Sequence, residues 1–199
     1  MIKSASSSSI LTNEKHSSMS AGAVPSNEYL IQTIVVGATP VASVTFDVSA
    51  YAGVYRHLMI SGTFRDTNGS VARLGLRING VTDSNYMTHV LFTRGTGITS
   101  EGVNSGAYDT QIRLSQDSPA SSTTANTFGS TVVDFLDAYS TSKFKTVRAL
   151  SGFAANENLI NLTSGFLNST SAINSITLFS LQGTALATNS RFSVYGVTA

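Results

Sequence analysis

The 199-residue chain contains no cysteine, no tryptophan and only 3 prolines, and its charged side chains are few, 12 basic against 11 acidic. Without cysteine, neither a disulfide scaffold nor a thiolate-ligated zinc site can form. A net charge of +1 provides no long-range field to draw the chain onto phosphate backbones or anionic lipid, so no nucleic-acid partner is expected. No apolar run approaches the ~20 residues of a bilayer span, and no membrane insertion is expected. The opening Met1–Ser9 passes from one lysine into serines, where a secretory leader would be apolar, so no such leader is expected. What the chain has in abundance is hydroxyl, with 31 Ser and 24 Thr, beside a hydrophobic fraction of 41% that supports one buried core.

Composition changes near residue 28. Met1 to Glu28 holds ten Ser or Thr, no aromatic residue, and isolated apolar side chains at Ile2, Ile10, Leu11, Met19 and Val24. Such a segment cannot bury enough apolar surface to offset an ordering entropy of roughly 1–2 kcal/mol per residue. It reads as an extended Ser-rich arm, residues 1–28, that gains order by lying on another subunit, ahead of a domain at 29–199.

From Tyr29 onward the pattern is strand after strand. Val44, Phe46 and Val48 alternate with polar neighbours, and Ala72, Leu74, Leu76 and Ile78 do the same, as in a sheet with one wet face. The second strand ends at Asn79-Gly80, a hairpin signal because both positions tolerate positive φ, which makes 85–93 its expected partner. Further strands are expected at 29–36, 55–64, 107–114, 127–136, 143–153, 158–163, 172–180 and 190–197, with long polar loops at 93–106 and 117–124. Val133 to Tyr139 reads as strand followed by loop. About ten short strands without a long helix predict an all-β protein, an antiparallel jelly-roll-like β-sandwich, with an immunoglobulin-like sandwich as second choice.

Residues that could carry chemistry are scattered. His16 lies in the arm, while His57 and His89 lie in strands, where half-buried histidines bonded to backbone or hydroxyls are expected. A metal or general-base site would need them to converge on Asp83 or Asp109. Asp134 and Asp137, three apart, read as one strand and one turn aspartate and not as a glycosidase pair. Gly95-Thr96-Gly97 lacks the spacing of a phosphate loop, and no GxSxG elbow occurs. Tyr51, Tyr55, Tyr86, Tyr108, Tyr139 and Tyr195 could form a sugar platform, but one tyrosine per strand is the pattern of core and rim residues. The acceptor triplets at Asn68, Asn161 and Asn168 are expected by chance in so hydroxyl-rich a chain.

Several stretches together resemble a recurring module of structural proteins from tailed bacteriophages. They are His57-Leu58-Met59-Ile60, Arg65-Asp66, and Leu76-Arg77-Ile78-Asn79-Gly80 followed by Asn85-Tyr86-Met87-Thr88-His89-Val90-Leu91. The second half adds Ala125 to Gly129, Asp134-Phe135-Leu136-Asp137-Ala138-Tyr139, Ala172 to Leu178, and the ending Ser190 to Val197 with Tyr195-Gly196. The resemblance covers Tyr29 to Val197, with two departures: Val81 where members often carry an acid, and Gly165-Phe166-Leu167 where they often carry Trp. It implies a virion component and not an enzyme. The outer surface of the particle is the expected location, after synthesis in the bacterial cytoplasm, and no cofactor or metal-site residue is expected. The expected role is a capsid decoration (cement) protein whose arm, through Ile2, Ile10, Leu11 and Met19, bridges subunits of the major capsid protein. The alternative is a tail-fibre or tail-tip protein that contacts host glycan. A free carbohydrate-binding module is disfavoured by the lack of Trp and of a leader. Self-association is expected, a trimer before a dimer.

Overall fold

The computed structural model describes residues 27–70, 72–103, 108–154 and 159–198. The arm residues Ile2, Ile10, Leu11 and Met19, and His16, lie outside them. Period-two alternation produces twelve strands: β1 (Glu28–Val35), β2 (Ser43–Asp47), β3 (His57–Phe64), β4 (Leu74–Ile78), β5 (Tyr86–Arg94), β6 (Gly97–Val103), β7 (Ile112–Arg113), β8 (Gly129–Leu136), β9 (Lys145–Phe153), β10 (Leu159–Leu167), β11 (Ser175–Ser180) and β12 (Arg191–Val197). They form an eight-stranded sheet in the order β1-β12-β3-β8-β9-β10-β5-β6 and a four-stranded sheet in the order β2-β11-β4-β7, all neighbours antiparallel. The protein is an all-β sandwich. Its core lies between the sheets, where Phe46, Ile60, Leu76, Ile78, Phe135, Ile176 and Phe192 are fully buried. Burying such side chains is worth roughly 1.5–3 kcal/mol each and is the main term that holds the layers together.

Chain order alternates between the layers. β1, β3, β8 and β12 belong to the large sheet and β2, β4, β7 and β11 to the small one, while the hairpins β5–β6 and β9–β10 widen the large sheet on one side. The small sheet therefore backs only part of the large one.

Several boundaries differ from the sequence expectation. Glu28, assigned to the arm, is the first residue of β1 and pairs with Val197. Asn79 and Gly80 do take positive φ, 54° and 64°, and the N–H of Val81 closes the turn on the carbonyl of Ile78 at 3.1 Å. Yet β5 is not the ladder partner of β4: the chain crosses to the other sheet, and β4 pairs with β11 and β7. The expected loop at 93–106 contains β6, joined to β5 by a tight turn at Gly95-Thr96, with Gly95 at φ 58°. The strand expected at 107–114 shrinks to Ile112–Arg113. Asp109 makes only an isolated bridge to Tyr86, and its carboxylate accepts the N–H of Thr110 and the side-chain amide of Gln111 in a bend. After the strand, Gln116 and Leu114 bond to Asn161 and Thr163 of β10. Strand β11 begins at Ser175 and not at Ala172, since the Asn79 side chain accepts the N–H groups of Asn174 and Ser175. The chain from Val133 runs as strand to Leu136 and then turns, as expected.

Candidate functional site

Among the residues that carried the phage resemblance, Tyr86, Asn79, Asn85, Arg65 and Arg77 serve as ties and turns. Buried Tyr86 opens β5, and its hydroxyl accepts the N–H of Ile78 at 3.0 Å while the carbonyls of Ile78 and Val81 lie 3.1 and 3.2 Å away, joining the large sheet to the end of β4. Burial raises its pKa above the ordinary tyrosine value. Asn79 adds a bond from its amide to the carbonyl of Ala172, and the carbonyl of Asn85 accepts the N–H of Asn168. Arg65 donates to the carbonyls of Ser121, Thr123, Thr124 and Thr127, so the polar loop read at 117–124 is organised from within. The guanidinium of Arg77 donates to Thr110 and Gln111 and lies 4.5 Å over the Phe179 ring.

His57 Nδ1 accepts the backbone N–H of Asp137 at 2.9 Å, so this imidazole is committed to a turn. His89 is exposed on β5, which corrects the half-buried expectation. Asp137, at φ 47°, pairs with Lys143 and Arg56 at 2.5 and 2.7 Å, and these hydrogen bonds hold its carboxyl well below the usual carboxylate range. Asp134 pairs with Arg148 directly opposite it on β9, at 2.7 Å. The two aspartates are thus held by different cations in different settings, and among the described residues no three His, Asp or Glu side chains gather as a metal site would require. The acceptor triplet at Asn161 is closed as a surface site, because that side chain is wholly buried and receives the N–H of Gln116.

The tyrosines correct the one-per-strand expectation. Tyr55 stacks between Tyr29 and Tyr51 at centroid distances of 5.8 and 6.0 Å. The 3-10 turn Ser49–Tyr51, held by Asp47, whose carboxylate accepts both the N–H and hydroxyl of Ser49, sets Tyr51 in place. Gly196 makes room for the stack, since a Cβ there would stand 2.1 Å from the Tyr55 ring. Tyr139 donates to the carbonyl of Val48 at 2.8 Å, and burial, with Tyr51 and Asp47 nearby, pushes its pKa up to about 12. Tyr51, Tyr55 and Tyr139 are partly buried and pack against the core, as structural tyrosines do. Tyr195, the neighbour of Gly196, points instead to the outer side of the sheet with Met59 and Leu30 as its cross-strand partners. The departure at Gly165-Phe166-Leu167 divides likewise: Leu167 is buried, and Phe166 contacts Phe144 and Tyr108 on the rim.

The feature that sequence reasoning missed is the outer face of the large sheet. Val132, Leu150, Leu162 and Leu91 occupy directly opposed positions on β8, β9, β10 and β5 and form one apolar row across four strands. On one side the row continues into Ser61, Ser193 and Thr33, and on the other into Ser100. Ile160 and Ile98 lie one position along, flanking Thr93. These six aliphatic side chains are 40% to 73% exposed. From these exposures the six residues together present roughly 600 Å², at the top of the range for the largest patch on a typical monomer. Beside the row lies a hollow of about 570 Å³ lined by Val132, Leu150, Gly152, Phe153 and Ile160, and Gly152 itself lets the β10 backbone approach, since a Cβ there would stand 2.6 Å from the Leu159 carbonyl oxygen.

A scan against protein-family models finds no match for this chain, and a search of curated proteins finds none either.

Proposed function

We propose that this chain is a non-enzymatic structural protein of a tailed-bacteriophage particle, a decoration protein that sits on the outside of the head and self-associates there. The observation that carries the reading is the exposed aliphatic block on β8, β9, β10, β5 and β6, a surface built for contact with protein and not for chemistry. Two features support it. The alternation of β1, β2, β3, β4, β7, β8, β11 and β12 between the sheets reads as a jelly roll widened by two hairpins. Tyr86, Asn79, Arg65 and Arg77, among the residues behind the phage resemblance, serve as turns and ties, as expected of a scaffold. Residues 1–26 then act as the bridging arm, with many shallow contacts repeated over many copies supplying avidity.

The test is localisation of the chain on intact particles by gold labelling or cryo-electron microscopy. Label over the head is the expected result, together with loss of head association when residues 1–26 are removed. Label confined to the tail overturns the head assignment in favour of a fibre or tip role, and purified particles without label overturn both.

A further inference from the structure

We propose that the apolar block on the outer face of the large sheet is covered by the same block of a second copy, related by a two-fold axis that runs along the row Val132–Leu150–Leu162–Leu91. The inference deepens the assembly reading above by naming the partner of that surface. Three observations carry it.

The first is area. From their fractional exposures the six aliphatic residues present roughly 600 Å², most of the about 800 Å² per partner that a stable interface buries. The second is charge. The one ionised pair within the row beside the block, Asp134 with Arg148, is bonded to itself at 2.7 Å, so an identical face can approach without like-charge repulsion.

The third is the register. A two-fold axis along the row lays each row residue over its own copy and lays the position two residues before it over the position two residues after it. On β9 this sets Arg148 over the hollow at Gly152, on β10 Ser164 over Ile160, and on β6 Gly102 over Ile98, so that large meets small on every one of these strands. Isologous interfaces require this kind of self-complementarity. Two sheets packed in this way stand about 10 Å apart, as the two layers of a sandwich do.

The experiment uses the purified full chain, which has no native cysteine. Sedimentation velocity at micromolar concentration is expected to give twice the chain mass. Leu162→Glu is expected to return it to a monomer with unchanged far-ultraviolet circular dichroism, and Leu150→Arg serves as a second variant if the first does not fold. A bis-maleimide spanning about 10 Å is expected to join two copies of Leu150→Cys. It is expected to leave Thr45→Cys, exposed on the outer face of the small sheet, uncoupled. A monomer at all concentrations, a trimer, or cross-linking at Thr45→Cys but not at Leu150→Cys overturns the proposal. Because the readout is the mass of isolated protein, a monomer that still labels particles refutes this interface and leaves the particle assignment standing. A dimer that labels none refutes the assignment and leaves the interface.

Discussion

Replacing Tyr86 by phenylalanine deletes one oxygen at the junction between the two layers. The aromatic ring remains, and with it nearly all of the apolar burial. What is lost is the acceptor for the N–H of Ile78, a residue with no exposed surface, and the donor to the carbonyls of Ile78 and Val81. Neither sheet offers a replacement partner, because β4 meets β11 and β7 through its other groups. A buried donor left without its partner costs about 1–3 kcal/mol, so Tyr86→Phe is expected to lose about 2 kcal/mol. For a chain of this size that corresponds to a fall in Tm of about 4–8 °C. Urea titration followed by circular dichroism reads it as a lower midpoint with an unchanged slope. Tyr139→Phe is the internal control: its hydroxyl makes one bond, to Val48, from a half-buried position, and its loss is expected to cost about 1 kcal/mol. If Tyr86→Phe unfolds at the same urea concentration as the parent protein, or no earlier than Tyr139→Phe, the hydroxyl is not what joins the layers there and the reasoning fails.

Gly196→Ala drives a methyl group into the Tyr55 ring, which cannot yield without breaking both of its stacks. A loss of about 1–3 kcal/mol together with a weakened near-ultraviolet tyrosine signal is expected, and unchanged spectra at parental stability would show that the stack has slack. Tyr139 keeps its proton in the folded protein up to about pH 12, whereas the unfolded chain releases it near 10. Its contribution to stability is therefore complete below pH 10 and lost as pH rises from 10 to 12. Stability measured through that window is expected to fall less steeply in Tyr139→Phe than in the parent, and identical slopes would contradict this account.

How far these features could be read in the sequence depends on whether a signal is local. Strands β2, β5, β8 and β9 follow from period-two alternation, and the positive φ of Asn79 and Gly80 follows from their turn chemistry. The partner across that turn is not local information. Asn-Gly chemistry specifies a reversal, but the strand after it is captured by β10 and β6 because Tyr86 anchors its start on the far layer. The wet face expected for β4 is also missing: Leu74, Gly75 and Leu76 are all buried, since the Leu181 and Phe179 side chains close over Gly75. The tyrosine cluster escaped because Tyr29, Tyr51 and Tyr55 meet only through the pairing of β1 with β12 and the short turn after β2. The one signal that could have found it was Gly196 itself, a glycine inside an otherwise well-formed strand pattern, where close approach of another group is the usual cause.

The outer apolar face was visible in the sequence but could not be interpreted there. Val132-Val133 in β8, Ala149-Leu150 in β9 and Leu159-Ile160 in β10 put apolar residues at both registers, a pattern that belongs to strands covered on both sides. Among the described residues these strands receive cover on one side only. Val133, Ala149 and Leu159 turn inward and are buried, whereas Val132, Leu150 and Ile160 turn outward to water. The small sheet has four strands against eight and lies on the inner side, so among the described residues no strand covers the outer face. On the proposal above a second copy would supply that layer, setting Arg148 over Gly152 and Ser164 over Ile160.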